Sequence, residues 1–187
     1  MSDLIHQSRD GEAERAVAAP EAVRTLWLDL EDTIILPVVN GWFQTEPINI
    51  DKVKRFIAKF KPAHINIFSF AIWNEPSREL FNQGTRPMLE QALGVTFDLV
   101  LTVDDDVIPA CCAVMKLNPS SVDFSEMSNF WSKQGAFRLC MQHMFKNSHT
   151  HGVAVEVALL DDAVFNEDFF WPDLNVRGCI LNIDQMQ

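Results

Sequence analysis

Five short apolar runs, each stopping at polar or acidic residues, constrain the fold of this chain more than any other feature. Residues 25–33 read Thr-Leu-Trp-Leu-Asp-Leu-Glu-Asp-Thr, an apolar run that ends in three acids and a threonine. Residues 64–68 form a second run, ending at Ser69, and residues 97–103 a third, ending at Asp104, Asp105 and Asp106. Residues 153–160 form a fourth, ending at Asp161 and Asp162, and residues 179–183 a shorter fifth, ending at Asp184. Runs of this length bounded by polar turns read as buried strands. Helically spaced segments separate them; in 51–60, Val53, Phe56, Ile57 and Phe60 make one apolar stripe. Repeated strand–helix–strand units predict an α/β chain: a Rossmann-like three-layer sandwich with a central parallel sheet of about five strands. Ligands bind such sheets outside the carboxyl ends of the strands. The polar residues that end the runs are therefore expected to converge, although they lie far apart in sequence.

The first run carries the densest chemistry. Asp29, Glu31 and Asp32 fall within four positions, and carboxylates so close repel one another unless solvated or neutralised by a cation. A solvated acidic turn and a metal site both satisfy that condition. Likewise, Ser69 can simply end a strand, Lys133 can be a solvated helix lysine, and Asp161 and Asp162 can form a polar turn.

Taken together and in order, these segments resemble the four motifs of the haloacid dehalogenase superfamily, over about residues 23–184. Asp29-Leu30-Glu31-Asp32-Thr33 is similar to the Asp-x-Asp-x-Thr of the first motif, with Glu31 in the second acid's place. Ser69 takes the position of the second. Lys133, in Trp-Ser-Lys-Gln-Gly-Ala-Phe, takes that of the third, with Lys116 a weaker candidate. Leu159-Leu160-Asp161-Asp162, followed by Asn166 or Glu167, is similar to the fourth.

The resemblance implies a Mg²⁺-dependent phosphatase that hydrolyses a phosphomonoester of a small molecule or a macromolecule through an aspartyl-phosphate. Mg²⁺ neutralises the phosphoryl oxygens, which otherwise repel an anionic nucleophile. Asp29 is the implied nucleophile and a metal ligand, with the backbone carbonyl of Glu31 and the carboxylate of Asp162 as further ligands. Asp161, Asn166 and Glu167 are implied to act through water or hydrogen bonds to those ligands. Ser69 would donate to a phosphoryl oxygen, and Lys133 would stabilise the same group. Family phosphatases use the second acid as general acid and base. Glutamate there moves the carboxyl by roughly 1–1.5 Å. Three outcomes stay open: a pocket shaped for Glu31, help from Asp32, or a slow or inactive relative that acts as a binding module. A receiver-like phosphoacceptor domain is a further alternative, since Asp104, Asp105 and Asp106 mimic its third-strand acid. Those three acids otherwise read as a solvated rim or a helix-start cluster before Pro109.

Family members often carry a cap domain, but residues 34–68 leave room only for a hairpin flap and one helix. The expected organisation is an N-terminal tail, 1–22, and one domain, 23–187, without a large cap. Trp42 and Phe43 on the flap are suited to stacking on a base or sugar, or to packing on the core. The net charge of −11 disfavours a nucleic-acid backbone. Lys52, Lys54, Arg55, Lys59 and Lys61 form a basic cluster whose default is a solvated helix face. No apolar stretch is long enough to span a membrane, and the N-terminus lacks a basic-then-apolar leader. The four cysteines lack metal or disulfide spacing and read as reduced thiols, which places the chain in the cytoplasm. His149 and His151 are a possible metal pair, or part of a polar turn.

Overall fold

The computed structural model describes residues 21–124, 131–148 and 153–186. Five strands form one sheet: β1 Val23–Leu28, β2 His64–Ile67, β3 Val155–Asp161, β4 Glu167–Trp171 and β5 Val176–Asn182. Their order is β2-β1-β3-β5-β4. β1 pairs parallel with β2 and β3, β3 pairs parallel with β5, and β4 runs antiparallel to β5. The chain leaves β1 for β2 on one side and returns to β3 on the other. The carboxyl ends of β1 and β3 therefore flank the point where strand order reverses, which is where such sheets bind ligands.

Alternation along the strands divides the core into two layers. Leu26, Leu28, Ile65, Ile67 and Leu160 pack on one face with Val53 and Leu89, from helices α1 (Ile50–Phe60) and α3 (Arg86–Leu93). Trp27, Leu159 and Ile180 pack on the other with Cys111, Phe137 and Met141, from helices α4 (Ile108–Met115) and α5 (Lys133–Asn147). A short helix α2, Glu75–Leu80, follows β2, opened by a reciprocal capping box between Asn74 and Ser77.

The third expected strand is corrected. Residues 97–103 run beside β2, with Asp98 N donating to Ile65 O (2.8 Å) and Ile67 N to Leu99 O (2.8 Å), yet only one bridge forms, Ile67 with Val100. The Asn66 side chain accepts from Leu99 N at 3.1 Å, and the Asp98 carboxylate accepts from Ile65 N at 3.3 Å. Polar side chains thus compete with the backbone for ladder bonds. The fifth sheet strand is instead β4, an antiparallel edge whose Phe170 stays exposed. In the acid run beyond, Thr102 caps the turn into α4 by accepting from Asp105 N, and Asp106 accepts from Thr102 N at 2.8 Å. These acids lie in the turn that starts a helix, and no strand among the described residues leads into them.

Residues 34–48 form a small flap and no separate domain; its bridges are Ile35 with Pro47 and Val39 with Trp42. On α1, Lys54, Arg55 and Lys59 are exposed, whereas Lys52 donates to Ile183 O at 3.2 Å. Cys111, Cys112 and Cys140 are buried, and all four cysteines are free. No helix among the described residues is long and apolar enough to cross a membrane.

Candidate active site

Asp29 follows β1 directly, its N–H donating to Leu160 O at 3.0 Å. That bond carries the sheet one residue past the strand and holds the Asp29 side chain at its carboxyl end. Asp161 is the last residue of β3, the neighbouring strand. Carboxylate oxygens of Asp29, Asp161 and Asp162 all lie within 4.8 Å of one another. Asp29 and Asp161 are completely buried.

A cation bridges two of these three acids. Lys133 Nζ lies 2.9 Å from Asp29 Oδ2 and 3.2 Å from Asp161 Oδ2. Lys133 opens α5, whose cap is Ser132 Oγ accepting from Gly135 N at 3.0 Å. A cation at a helix N-terminus opposes the helix dipole. The two buried carboxylates outweigh that conflict. Burial alone would lower the Lys133 pKa, but the charges of Asp29 and Asp161 raise it above the ordinary lysine value. Burial pushes the Asp29 pKa up, and Lys133 and the Ser69 hydroxyl oppose the shift. Asp161 is pushed up to about 6, by burial first and then by the charge of Asp29, against the pull of Lys133.

Thr33 joins the strands. Its Oγ1 accepts from Asp162 N at 3.0 Å and lies 3.2 Å from Asp29 Oδ2 and 3.3 Å from Asp162 Oδ1, so its one proton serves two carboxylates. Thr33 O in turn accepts from Asn49 Nδ2 at 3.1 Å, at the start of α1. Asn182, at the end of β5, donates to Asp162 O and Val164 O. The sequence places Thr33 in the first motif without assigning it a role, and does not single out Asn182. Thr33 had a signal, as the last residue of the acidic pentapeptide; Asn182 had none beyond its place at a strand end.

Ser69 is buried just beyond β2, and its Oγ accepts from Ala71 N at 3.3 Å. Glu31 is half-buried, and its Oε1 accepts from Val38 N on the flap at 2.7 Å. Asp29, Ser69, Lys133, Asp161 and Asp162 thus share one end of the sheet, with Glu31 two residues away. The other candidates lie outside this group of acids. Asn166 accepts from Asn182 N and donates to Gln185 Oε1, both on the chain around the end of β5. Glu167 pairs with Arg138 at 2.5 Å and with Gln134. Glu167 is corrected as a partner of the acid cluster, since β4 begins there and carries it to α5, whereas Asn166 connects to Asp162 through Asn182. Asp32 is exposed with φ 56°, and Lys116 is exposed at the end of α4. The His149 and His151 pair lies outside the described residues.

The donor set suits a hard divalent cation. Three carboxylates converge, and Asp29 Oδ1 is a buried oxygen with no hydrogen-bond partner. Oxygens around one octahedral Mg²⁺ are about 3 Å apart when adjacent and about 4.2 Å when opposite. The carboxylate oxygens of Asp29, Asp161 and Asp162 already lie within 4.8 Å of one another, close to that spacing.

A pH dependence follows from Asp161. Its folded pKa of about 6 lies above the ordinary aspartate value of about 4, so folding favours the neutral form. The group's contribution is fully present below about pH 4 and is lost as pH rises through about 6, on the order of 3 kcal/mol. Without divalent cations, Tm should fall between about pH 4 and 6, and Asp161→Asn should flatten that slope. Equal slopes in parent and variant would contradict the assignment.

Fold and site together define a class: a three-layer α/β protein with a lysine-bridged carboxylate cluster at its topological switch point. No protein-family model, curated protein or solved structure matches the chain.

Proposed function

We propose that this protein is a Mg²⁺-dependent phosphohydrolase that cleaves a phosphomonoester through an aspartyl-phosphate on Asp29. The observation that carries the reading is the buried Asp29 carboxylate, held 2.9 Å from Lys133 and within 4.8 Å of Asp161 and Asp162. A metal held by Asp29, Asp162 and the Glu31 carbonyl would neutralise phosphoryl charge and orient the ester. The side chains of this chain do the rest.

Asp29 attacks phosphorus, and the bond from phosphorus to the leaving oxygen breaks. Lys133 and the Ser69 hydroxyl stabilise charge on the phosphoryl oxygens. Glu31 gives its proton to the departing alcohol. Its carboxylate then takes a proton from water, whose oxygen attacks phosphorus; the bond to Asp29 breaks, and phosphate leaves. The bond from Val38 N to Glu31 Oε1 favours a pocket shaped for the longer acid. A shorter side chain loses that anchor as well as reach.

The test is phosphate release from a panel of phosphorylated metabolites and nucleotides, with and without Mg²⁺, for the parent and two Glu31 variants. Glu31→Asp should lower kcat about 10²-fold, since misplacement near 1 Å costs that much. Glu31→Gln should lower it about 10²- to 10⁴-fold, because an amide transfers no proton. Equal turnover by all three would remove residue 31 from the proton transfers. No Mg²⁺-dependent release from any ester would remove the phosphohydrolase reading itself.

A further inference from the structure

We propose that Asn182 is a positioning residue of the cation site, and that it holds Asp162 rigidly enough for the site to select Mg²⁺ over the larger Ca²⁺. The inference rests on the metal-binding part of the phosphohydrolase reading and adds the residue that sets the ion preference.

Of the three clustered acids, Asp162 is held differently. Asp29 and Asp161 are completely buried and bridged by Lys133, whereas Asp162 is half-buried and lies one residue past the end of β3. Beyond a strand end the ladder no longer fixes the backbone, and its polar groups need other partners. Here two side chains supply them. Thr33 Oγ1, from the chain just after β1, accepts from Asp162 N at 3.0 Å. Asn182 Nδ2, at the end of β5, donates to Asp162 O at 2.6 Å. Both backbone polar groups of Asp162 are thus held, one from each of the strands that flank β3. The second proton of Asn182 Nδ2 goes to Val164 O at 3.0 Å, and the Val164 side chain is buried. The loop that carries Asp162 is therefore pinned between the core and one amide.

Position and chemistry suit Asn182 to this work. It is the Cα partner of Asp161 on the last rung of the parallel β3–β5 ladder, so its side chain takes over where the ladder stops. Its Oδ1 accepts from Asp184 N at 2.9 Å and caps the short helical turn of residues 183–185. Its backbone is anchored as well, with N donating to Asn166 Oδ1 at 2.7 Å. A cap needs only the acceptor, and serine serves as well as asparagine there. The two donated bonds need the amide nitrogen. Rigidity at Asp162 bears on which ion fits. Mg²⁺ demands near-ideal octahedral geometry with oxygens at about 2.1 Å, whereas Ca²⁺ accepts irregular shells at about 2.3–2.6 Å. A ligand on a fixed backbone favours the smaller ion, and a ligand free to shift loses that discrimination.

The experiment measures Kd for Mg²⁺ and for Ca²⁺ by isothermal titration calorimetry in the parent, Asn182→Ser and Asn182→Ala, with Tm in metal-free buffer alongside. Serine keeps an acceptor for Asp184 N, but its hydroxyl stops one bond, about 1.3 Å, short of the amide nitrogen's place. The parent should bind Mg²⁺ more tightly than Ca²⁺. In both variants the Mg²⁺ Kd should rise at least about tenfold, the usual effect of removing a group that orients a metal ligand. The Ca²⁺ Kd should rise about twofold or less, so the preference for Mg²⁺ should fall at least about fivefold. The serine variant, which keeps the cap, carries the test even where Asn182→Ala does not fold. A lower Tm with both constants unchanged would make Asn182 a helix cap alone and overturn the inference. Equal losses for the two ions, or a parent that prefers Ca²⁺, would overturn it too. A parent that binds neither ion overturns both this inference and the Mg²⁺-dependent reading beneath it. The expected shifts in a protein that releases no phosphate from any ester would uphold the role of Asn182 and remove the phosphohydrolase reading.

Discussion

Asp29→Asn should reduce phosphate release at least about 10³-fold while leaving the fold intact. The amide is nearly isosteric and can still accept from Thr33 Oγ1, which lies 3.2 Å from Asp29 Oδ2. It cannot attack phosphorus, and it is a poorer ligand for a hard cation. Stability should move in the opposite direction from activity. Asp29 is fully buried, and burial raises its pKa, so folding disfavours the charge that catalysis needs. Replacing it with a neutral group gives up one ion pair of Lys133, which keeps Asp161 as its partner, and relieves repulsion from Asp161 and Asp162. In the absence of divalent cations the variant's Tm should match or exceed the parent's, and the rise in Tm on adding Mg²⁺ should shrink. Circular dichroism melts with and without Mg²⁺, alongside the activity assay, provide the measurement. Turnover at a tenth of the parent rate or more would exclude Asp29 as nucleophile.

Lys133→Met should damage both stability and turnover. Lys133 is the cation bonded to two completely buried carboxylates, Asp29 and Asp161. Removing one partner of a buried ion pair costs about 3–5 kcal/mol, because the charge left behind has no compensation. Against a typical total of about 5–15 kcal/mol, that is a large share. The penalty should depend on pH in a definite sense. Without Lys133, the pKa values of Asp29 and Asp161 rise further, so the loss is smaller at pH 5, where they protonate more readily, than at pH 7. Urea midpoints of parent and variant at both pH values test this, and Lys133→Arg should recover more stability than activity. Turnover in Lys133→Met should fall about 10²- to 10³-fold, the effect of deleting one preorganised donor to a developing charge. A variant as stable and as active as the parent would place Lys133 outside the site.

Much of the site was legible before the fold, for a local reason. A strand that is apolar along its length and ends in acids announces both the strand and the end on which its chemistry sits. That grammar located Asp29, Ser69, Asp161 and Asp162, and the buried strands β1, β2 and β3 follow the same runs. It also marked residues 97–103 as a strand, because hydrophobic pattern does not register that Asn66 and Asp98 side chains take ladder bonds. It passed over β4, Glu-Asp-Phe-Phe-Trp, since an edge strand with exposed residues lacks the apolar pattern of a buried one.

Which acids share a cation was decided by tertiary structure. Asp104, Asp105 and Asp106 look as acidic in sequence as Asp161 and Asp162, yet sheet order puts β3 beside β1 and leaves residues 97–103 outside β2. Asn166 and Glu167 lie within six residues of Asp161, yet the turn into β4 carries them to Asn182 and Arg138. The sequence by itself determined the α/β architecture and the polar character of the strand ends, because both follow from short-range periodicity. Only the packing of α5 against the sheet buried Lys133 between Asp29 and Asp161, because contact of Asp29 with residues more than a hundred positions away depends on strand order and helix placement.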